Sequence, residues 1–195
     1  MTRALEIAER GRFTTKPNPV VGCLIVKGSE VIAEGWHERA GDAHAEVNAL
    51  RAAGEAARDA QAIVTLEPCS HIGRTGPCVE ALISAGIVRV AAAMQDPNPA
   101  VAGRGFQRLR DAGMEVVIGI EGKRAAALNP GFIRRMQTGR PRVRVKLAAS
   151  MDGRTAASDG SSQWISSEAS REDVHRLRAH QHAVLSFGSL LRPKT

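Results

Sequence analysis

The residues able to do chemistry fall in two short stretches: His44-Ala45-Glu46, and Pro68-Cys69 followed by Cys78. One imidazole and two thiols make a three-ligand set of the kind that holds zinc. Three protein ligands leave the fourth tetrahedral position to water, which is the layout of a catalytic site. Glu46 stands beside the set without being needed as a ligand. A non-ligating glutamate next to an acidified water is what hydrolytic deamination of a base requires. Each piece is weak alone, because His-x-Glu is common on surfaces and buried cysteines usually serve as small apolar residues. The Cys69-to-Cys78 spacing is also looser than the Cys-x-x-Cys of the general zinc-deaminase pattern. It is the order, His-x-Glu and then Pro-Cys with a second Cys, that carries the reading. His71 is rejected as a fourth ligand, since it would close the site.

Positions i and i+2 lie about 200° apart around a helix. His44 and Glu46 can therefore converge only at the N-terminal end of one. Gly41-Asp42 precedes them as a loop with Asp42 as its candidate cap, and Val47, Ala49, Leu50 and Ala53 supply an apolar stripe. That helix end also favours the negative charge of a hydroxide.

The other elements follow in order. An amphipathic helix spans 1–10, and Lys16-Pro17-Asn18-Pro19 is a stiff polar loop. A buried-strand run over 20–26 turns through 27–30 into a second strand over 31–37. A strand over 62–66 delivers Glu67-Pro68-Cys69, and a helix over 77–85, with Pro77 near its first turn, brings in Cys78. A strand spans 87–94, Asp96-Pro97-Asn98-Pro99 is a second rigid loop, a helix over 103–112 closes at Gly113, and a strand spans 114–118. A further helix over 122–139 breaks near Asn129-Pro130. The order β-β-α-β-α-β-α-β predicts an α/β three-layer sandwich whose helices cover a mixed sheet. Arg140-Pro141 reads as a boundary between residues 1–139 and 140–195. Beyond it come a strand over 143–148, a helix over 167–179 and a strand over 183–185. These last residues, about fifty, are too few to bury a core of their own.

Hydrophobic residues make up 43% of the 195 and charged residues 24%, as in a soluble globular protein. No apolar run could span a bilayer, and the acid-bearing N-terminus does not read as a signal peptide. Three cysteines, two of them assigned to zinc, leave Cys23 as core packing and argue for the reducing cytoplasm. The net charge of +7 admits nucleic acid as a partner. Aromatics at 3% and no tyrosine speak against it, because single-strand binders stack bases on aromatic side chains.

The motifs resemble those of the bifunctional riboflavin-biosynthesis deaminase/reductase family. The matching stretches are Lys16–Gly22, Gly35-Trp36-His37, Ala40–Val47, Glu67-Pro68-Cys69-Ser70-His71 through Cys78, Asp96–Pro99 and Lys146–Ala156. The looser cysteine spacing is this family's own. The resemblance implies a cytidine-deaminase-like domain followed by the start of a dihydrofolate-reductase-like domain. It implies zinc held by His44, Cys69 and Cys78, with Glu46 as the catalytic acid/base. The substrate implied is a small phosphorylated pyrimidine, 2,5-diamino-6-(ribosylamino)-4(3H)-pyrimidinone 5′-phosphate, whose 2-amino group leaves as ammonia. Asn18 and His37 would contact its base and ribosyl region, and Arg74 its phosphate, which a guanidinium fork suits. Read without the family, Asn18 is a turn residue, His37 a satisfied structural histidine and Arg74 a loop charge.

On the reductase side the resemblance implies NADPH, touched by Ala148 and Trp164, with Ser162 and Arg178 on the substrate. From 186 onward the family's threonine and Asp-Asp-Pro turn are missing, so a truncated reductase without activity is expected. The exposed apolar surface of a half-domain invites association, so a homo-oligomer is admitted. Two rival readings stay open. One is a nucleic-acid base deaminase, and the other a non-catalytic zinc-binding module.

Overall fold

Cys23-Leu24-Ile25-Val26 is apolar at every position, a pattern that suits a strand covered on both faces. It forms the middle of β1 (Gly22–Lys27), whose first five residues are buried. β2 (Glu30–Trp36) returns antiparallel through a turn in which Gly28 takes φ +60°, open to glycine at little cost. On the other side of β1 lies β3 (Gln61–Val64), again antiparallel, then β4 (Arg89–Ala92) and β5 (Glu115–Ile118), both parallel. The sheet is therefore mixed, in the order β2-β1-β3-β4-β5. In this computed structural model the described residues are 1–71, 76–99 and 101–185.

Alternation along the strands sorts the helices into two outer layers. Cys23 and Ile25 share one core with Ala62, Val64, Val90 and Ala92. That core receives Ala45 and Ala49 of α2 (Ala45–Ala53), Val79 and Leu82 of α3 (Cys78–Ser84), and Phe106 and Leu109 of α4 (Arg104–Asp111). Leu24 and Val26 face the opposite way, onto Ala4 and Ile7 of α1 (Thr2–Ala8). α5 (Gly122–Leu128) adds Ala125 to that layer, against Leu5 and Ala93. The result is the expected three-layer α/β sandwich.

The expected break at Asn129 separates α5 from α6 (Pro130–Thr138). Its carboxamide meets the backbone of Val20 twice, accepting from the N–H at 2.8 Å and donating to the carbonyl at 2.9 Å. The loop that carries Asn18 is thus fixed from a helix junction far along the chain. No helix among the described residues is long and apolar enough to cross a membrane.

The chain divides into two compact units, Met1–Arg142 and Val143–Thr195. Within the described part of the second unit, α7 (Glu168–Ala179) is capped by the Ser167 hydroxyl, which accepts from the Ser170 N–H. The strands expected over 143–148 and 183–185 do not form. A strand needs a neighbour to accept its backbone hydrogen bonds, and alternating Val143, Val145 and Leu147 have none here, remaining 76–80% exposed. The expected departure from the family at 186–195 lies outside the described residues.

Gly35 shows how closely the site helix is seated. A Cβ there would lie 2.3 Å from the Ala49 nitrogen and 2.5 Å from the Ala45 carbonyl oxygen, so β2 and α2 meet backbone to backbone. Gly35→Ala is expected to lower unfolding stability by about 1–3 kcal/mol, the usual cost of overpacking. A urea midpoint equal to that of the parent chain would contradict this seating.

Candidate metal centre

The centre is assembled from two helix starts and one strand end. His44 has extended backbone, φ −76° and ψ 167°, and serves as the cap residue of α2, so the helix begins at Ala45. This corrects the expectation for Asp42. Its N–H bonds to the Arg39 carbonyl at 3.1 Å, placing Asp42 in the preceding turn, too early to cap. His44 and Glu46 do lie at the N-terminal end of α2, as their spacing requires. Asn48, one turn in, donates to the Trp36 carbonyl at 2.9 Å and ties α2 to the end of β2.

Cys69 comes from the chain that leaves β3. Thr65 pairs with Gly22 twice: its N–H donates to the Gly22 carbonyl and its hydroxyl accepts the Gly22 N–H, each at 3.1 Å. Cys78 is the first residue of α3, with Pro77 at the cap position, where its missing N–H leaves nothing unsatisfied. The start of α3 grips Cys69 from one side. The Val79 N–H donates to the Cys69 carbonyl at 3.2 Å, and the Cys78 N–H to the Cys69 sulfur at 3.4 Å.

His44 Nδ1 lies 3.3 Å from Cys78 Sγ and 3.5 Å from Cys69 Sγ. The three ligand atoms all fall within 4.8 Å of one another, a triangle that a single ion can bridge. His71 is exposed and outside this set. The electrostatics fit a cation as well. The Cys69 thiol is held far below its ordinary range, first because Cys78 donates to it and then because His44 does. Cys78 correspondingly keeps its proton, while His44 is raised by its bond to Cys69. The cluster therefore favours a thiolate, the form that binds metal. Cys23, by contrast, is wholly buried and pushed up by desolvation, an inert core thiol.

Glu46 is 3% exposed. Burial, followed by the negative charge at Cys69, pushes its carboxyl up to about 7. A carboxyl in that range can take up and give back a proton near neutral pH.

His37 is also buried, and both its ring nitrogens are engaged. Nδ1 is 3.1 Å from the Ala43 carbonyl, which can only accept, so Nδ1 carries the proton. Nε2 must then accept, and its partner at 3.1 Å is the Asn18 amide nitrogen. Burial holds His37 below its usual pKa, in keeping with a neutral ring. The His37 ring meets His44 edge to face, with centroids 5.3 Å apart. Asn18, His37 and His44 are thus one connected group. All three carry sequence signals, whereas the pairing by which His37 orients Asn18 spans 19 residues and has none.

Arg74 lies outside the described residues. On the reductase side, Ser162, Trp164 and Arg178 are exposed and Ala148 is half-buried. The Trp164 ring lies under the Arg171 guanidinium, 4.2 Å from its centroid. A groove of about 470 Å³ runs between α2 and α3 and includes Ala43 and Pro77, the residues just before His44 and Cys78.

Glu67 was not singled out as functional from sequence. It is 4% exposed, yet its carboxylate accepts from the N–H groups of Asp96, Gly103, Gly105 and Phe106 at 2.9–3.4 Å. Its sequence signals are an acid that ends an apolar run and its place in the Glu67-Pro68-Cys69 stretch.

Residues 1–94 match the family model of the cytidine and deoxycytidylate deaminase zinc-binding region, and residues 141–190 that of the RibD C-terminal domain. The riboflavin biosynthesis protein RibD of Escherichia coli K12 is 60% identical over 186 residues, 95% of this chain and 51% of that protein. Among solved structures, Acinetobacter baumannii RibD (form 1) is 56% identical with a TM-score of 0.88, over 92% of this chain and 50% of its own. The diaminohydroxyphosphoribosylaminopyrimidine deaminase/5-amino-6-(5-phosphoribosylamino)uracil reductase of Thermotoga maritima is 41% identical with a TM-score of 0.84, over 91% and 51%. The chain spans about half the length of the curated relatives it matches. The mixed sheet, the His-Cys-Cys triangle and both sequence regions agree in making this chain similar to the RibD riboflavin biosynthesis proteins over about half of their length.

Proposed function

We propose that this chain carries out the zinc-dependent hydrolytic deamination step of riboflavin biosynthesis, removing the 2-amino group of the diaminopyrimidine ribosyl phosphate as ammonia. The observation that carries the proposal is a buried Glu46 on the first turn of the helix whose cap residue, His44, completes the ligand triangle. In this reading His44, Cys69 and Cys78 hold the ion. Bound zinc supplies a water acidified toward neutral pH and a positive charge that draws the Glu46 carboxyl down from its raised value. Glu46 takes the proton from the attacking water and returns it to the departing amine nitrogen. With His37 engaged at both nitrogens, the Asn18 carboxamide is the group of that pair that hydrogen-bonds the substrate. Arg74 is assigned to the phosphate by the family resemblance alone.

Residues 1–139 are read as the deaminase and 140–195 as part of a dihydrofolate-reductase-like fold. We assign deamination alone to this chain, because from 186 onward its sequence departs from the threonine and the Asp-Asp-Pro turn that the family resemblance leads one to expect. The partner is a small phosphorylated pyrimidine rather than nucleic acid, and the cytoplasm suits thiolate ligands.

Glu46→Gln should abolish ammonia release, a loss of at least about 100-fold for an acid/base group, while zinc stays bound at parent stoichiometry. Cys78→Ser should lose zinc and activity together. Ammonia release by Glu46→Gln at the parent rate would overturn the assignment. As a separate check, the chain supplied with NADPH and the deaminated product should show no NADPH oxidation, and measurable turnover there would contradict the restriction to deamination.

A further inference from the structure

The loop that delivers Cys69 is held by a carboxylate with no ligand role. Glu67 sits two residues before Cys69, almost fully buried, and accepts four backbone N–H groups. One oxygen takes Asp96 at 3.1 Å and Gly103 at 2.9 Å, and the other takes Gly105 at 2.9 Å and Phe106 at 3.4 Å. Gly103 is the cap residue of α4, and Gly105 and Phe106 belong to its first turn. These donors would otherwise go unpaired at a helix start. Backbone contact reinforces the attachment: a Cβ on Gly105 would lie 2.1 Å from the Pro68 carbonyl oxygen. Cys69 is thus fastened on both sides, to α3 through its own carbonyl and sulfur and to α4 through Glu67 and Pro68.

We propose that Glu67 is a positioning residue for the metal centre, which clamps the Pro68-Cys69 segment to the start of α4 and so presets the Cys69 sulfur for the ion. The inference rests on the reading that His44, Cys69 and Cys78 hold zinc. Such supporting groups are typically worth 10–100-fold in metal affinity. The carboxylate is required rather than any polar side chain of that size. A carboxamide would turn an N–H donor toward backbone N–H groups on one of its two branches.

The test is zinc release from the zinc-loaded chain of residues 1–195 into excess colorimetric chelator, with far-UV circular dichroism on the same samples. Glu67→Gln is expected to release zinc on the order of 10–100-fold faster than the parent with its secondary structure intact. Ile7→Val, a core change on the opposite face of the sheet, should release at the parent rate, which separates the clamp from general loss of stability. Should Glu67→Gln fail to fold, Glu67→Asp, which keeps the charge and shortens the reach, is read in the same assay and should release zinc faster than the parent. Release at the parent rate from a folded Glu67 variant, or equal acceleration by Ile7→Val, overturns the clamp alone. A parent chain that takes up no zinc overturns the metal reading and the clamp together.

Discussion

The structure depends on one local demand: an imidazole nitrogen and two sulfurs, carried at positions 44, 69 and 78, must meet within 4.8 Å. The Cys69 thiolate and the Cys78 thiol that donates to it stand ready there for a divalent ion, whose binding releases the remaining thiol proton. The fold meets the demand by ending β2 and β3 near one another and starting a helix after each. Helix starts serve well here. Their first side chains point past the end of the helix, and their free N–H groups favour the negative charge of thiolate, carboxylate or hydroxide.

The layers behind this point keep it rigid. Gly35 lets α2 lie directly on β2, and the Cys23–Ile25 face of β1 joins α2, α3 and α4 in one core. Polar side chains then fasten the loops that the core does not reach. Asn48 holds the turn after β2, Asn129 holds the loop of Asn18, and Glu67 holds the loop of Cys69. Each replaces a backbone partner that irregular chain lacks. The site is therefore set by hydrogen bonds reaching across the sandwich as much as by its own ligands.

The site's chemistry was legible because it resides in residue types at short spacing. His44-x-Glu46 requires a helix start, and a helix start is what forms. The sheet was legible because apolar runs such as 23–26 have no other use in a chain of this composition. The polar fastenings were not. Glu67 and its donors are separated by 29 to 39 residues, and Asn129 and Val20 by 109, so nothing local announces either pairing. Asp42 misled because cap preference was read two residues too early, when the extended backbone of His44 itself starts the helix. The pattern at 143–148 misled for a different reason: alternation says that a strand would be amphipathic, not that a neighbouring strand exists to pair with it.

The central claim is that this centre is an open His-Cys-Cys zinc site. X-ray absorption at the zinc edge on the purified, zinc-loaded chain tests it most directly. The account predicts two sulfur neighbours near 2.3 Å and two nitrogen or oxygen neighbours near 2.0 Å, of which one exchanges when a small ligand is added. A shell without sulfur, or one with two histidines and no exchangeable neighbour, would contradict it.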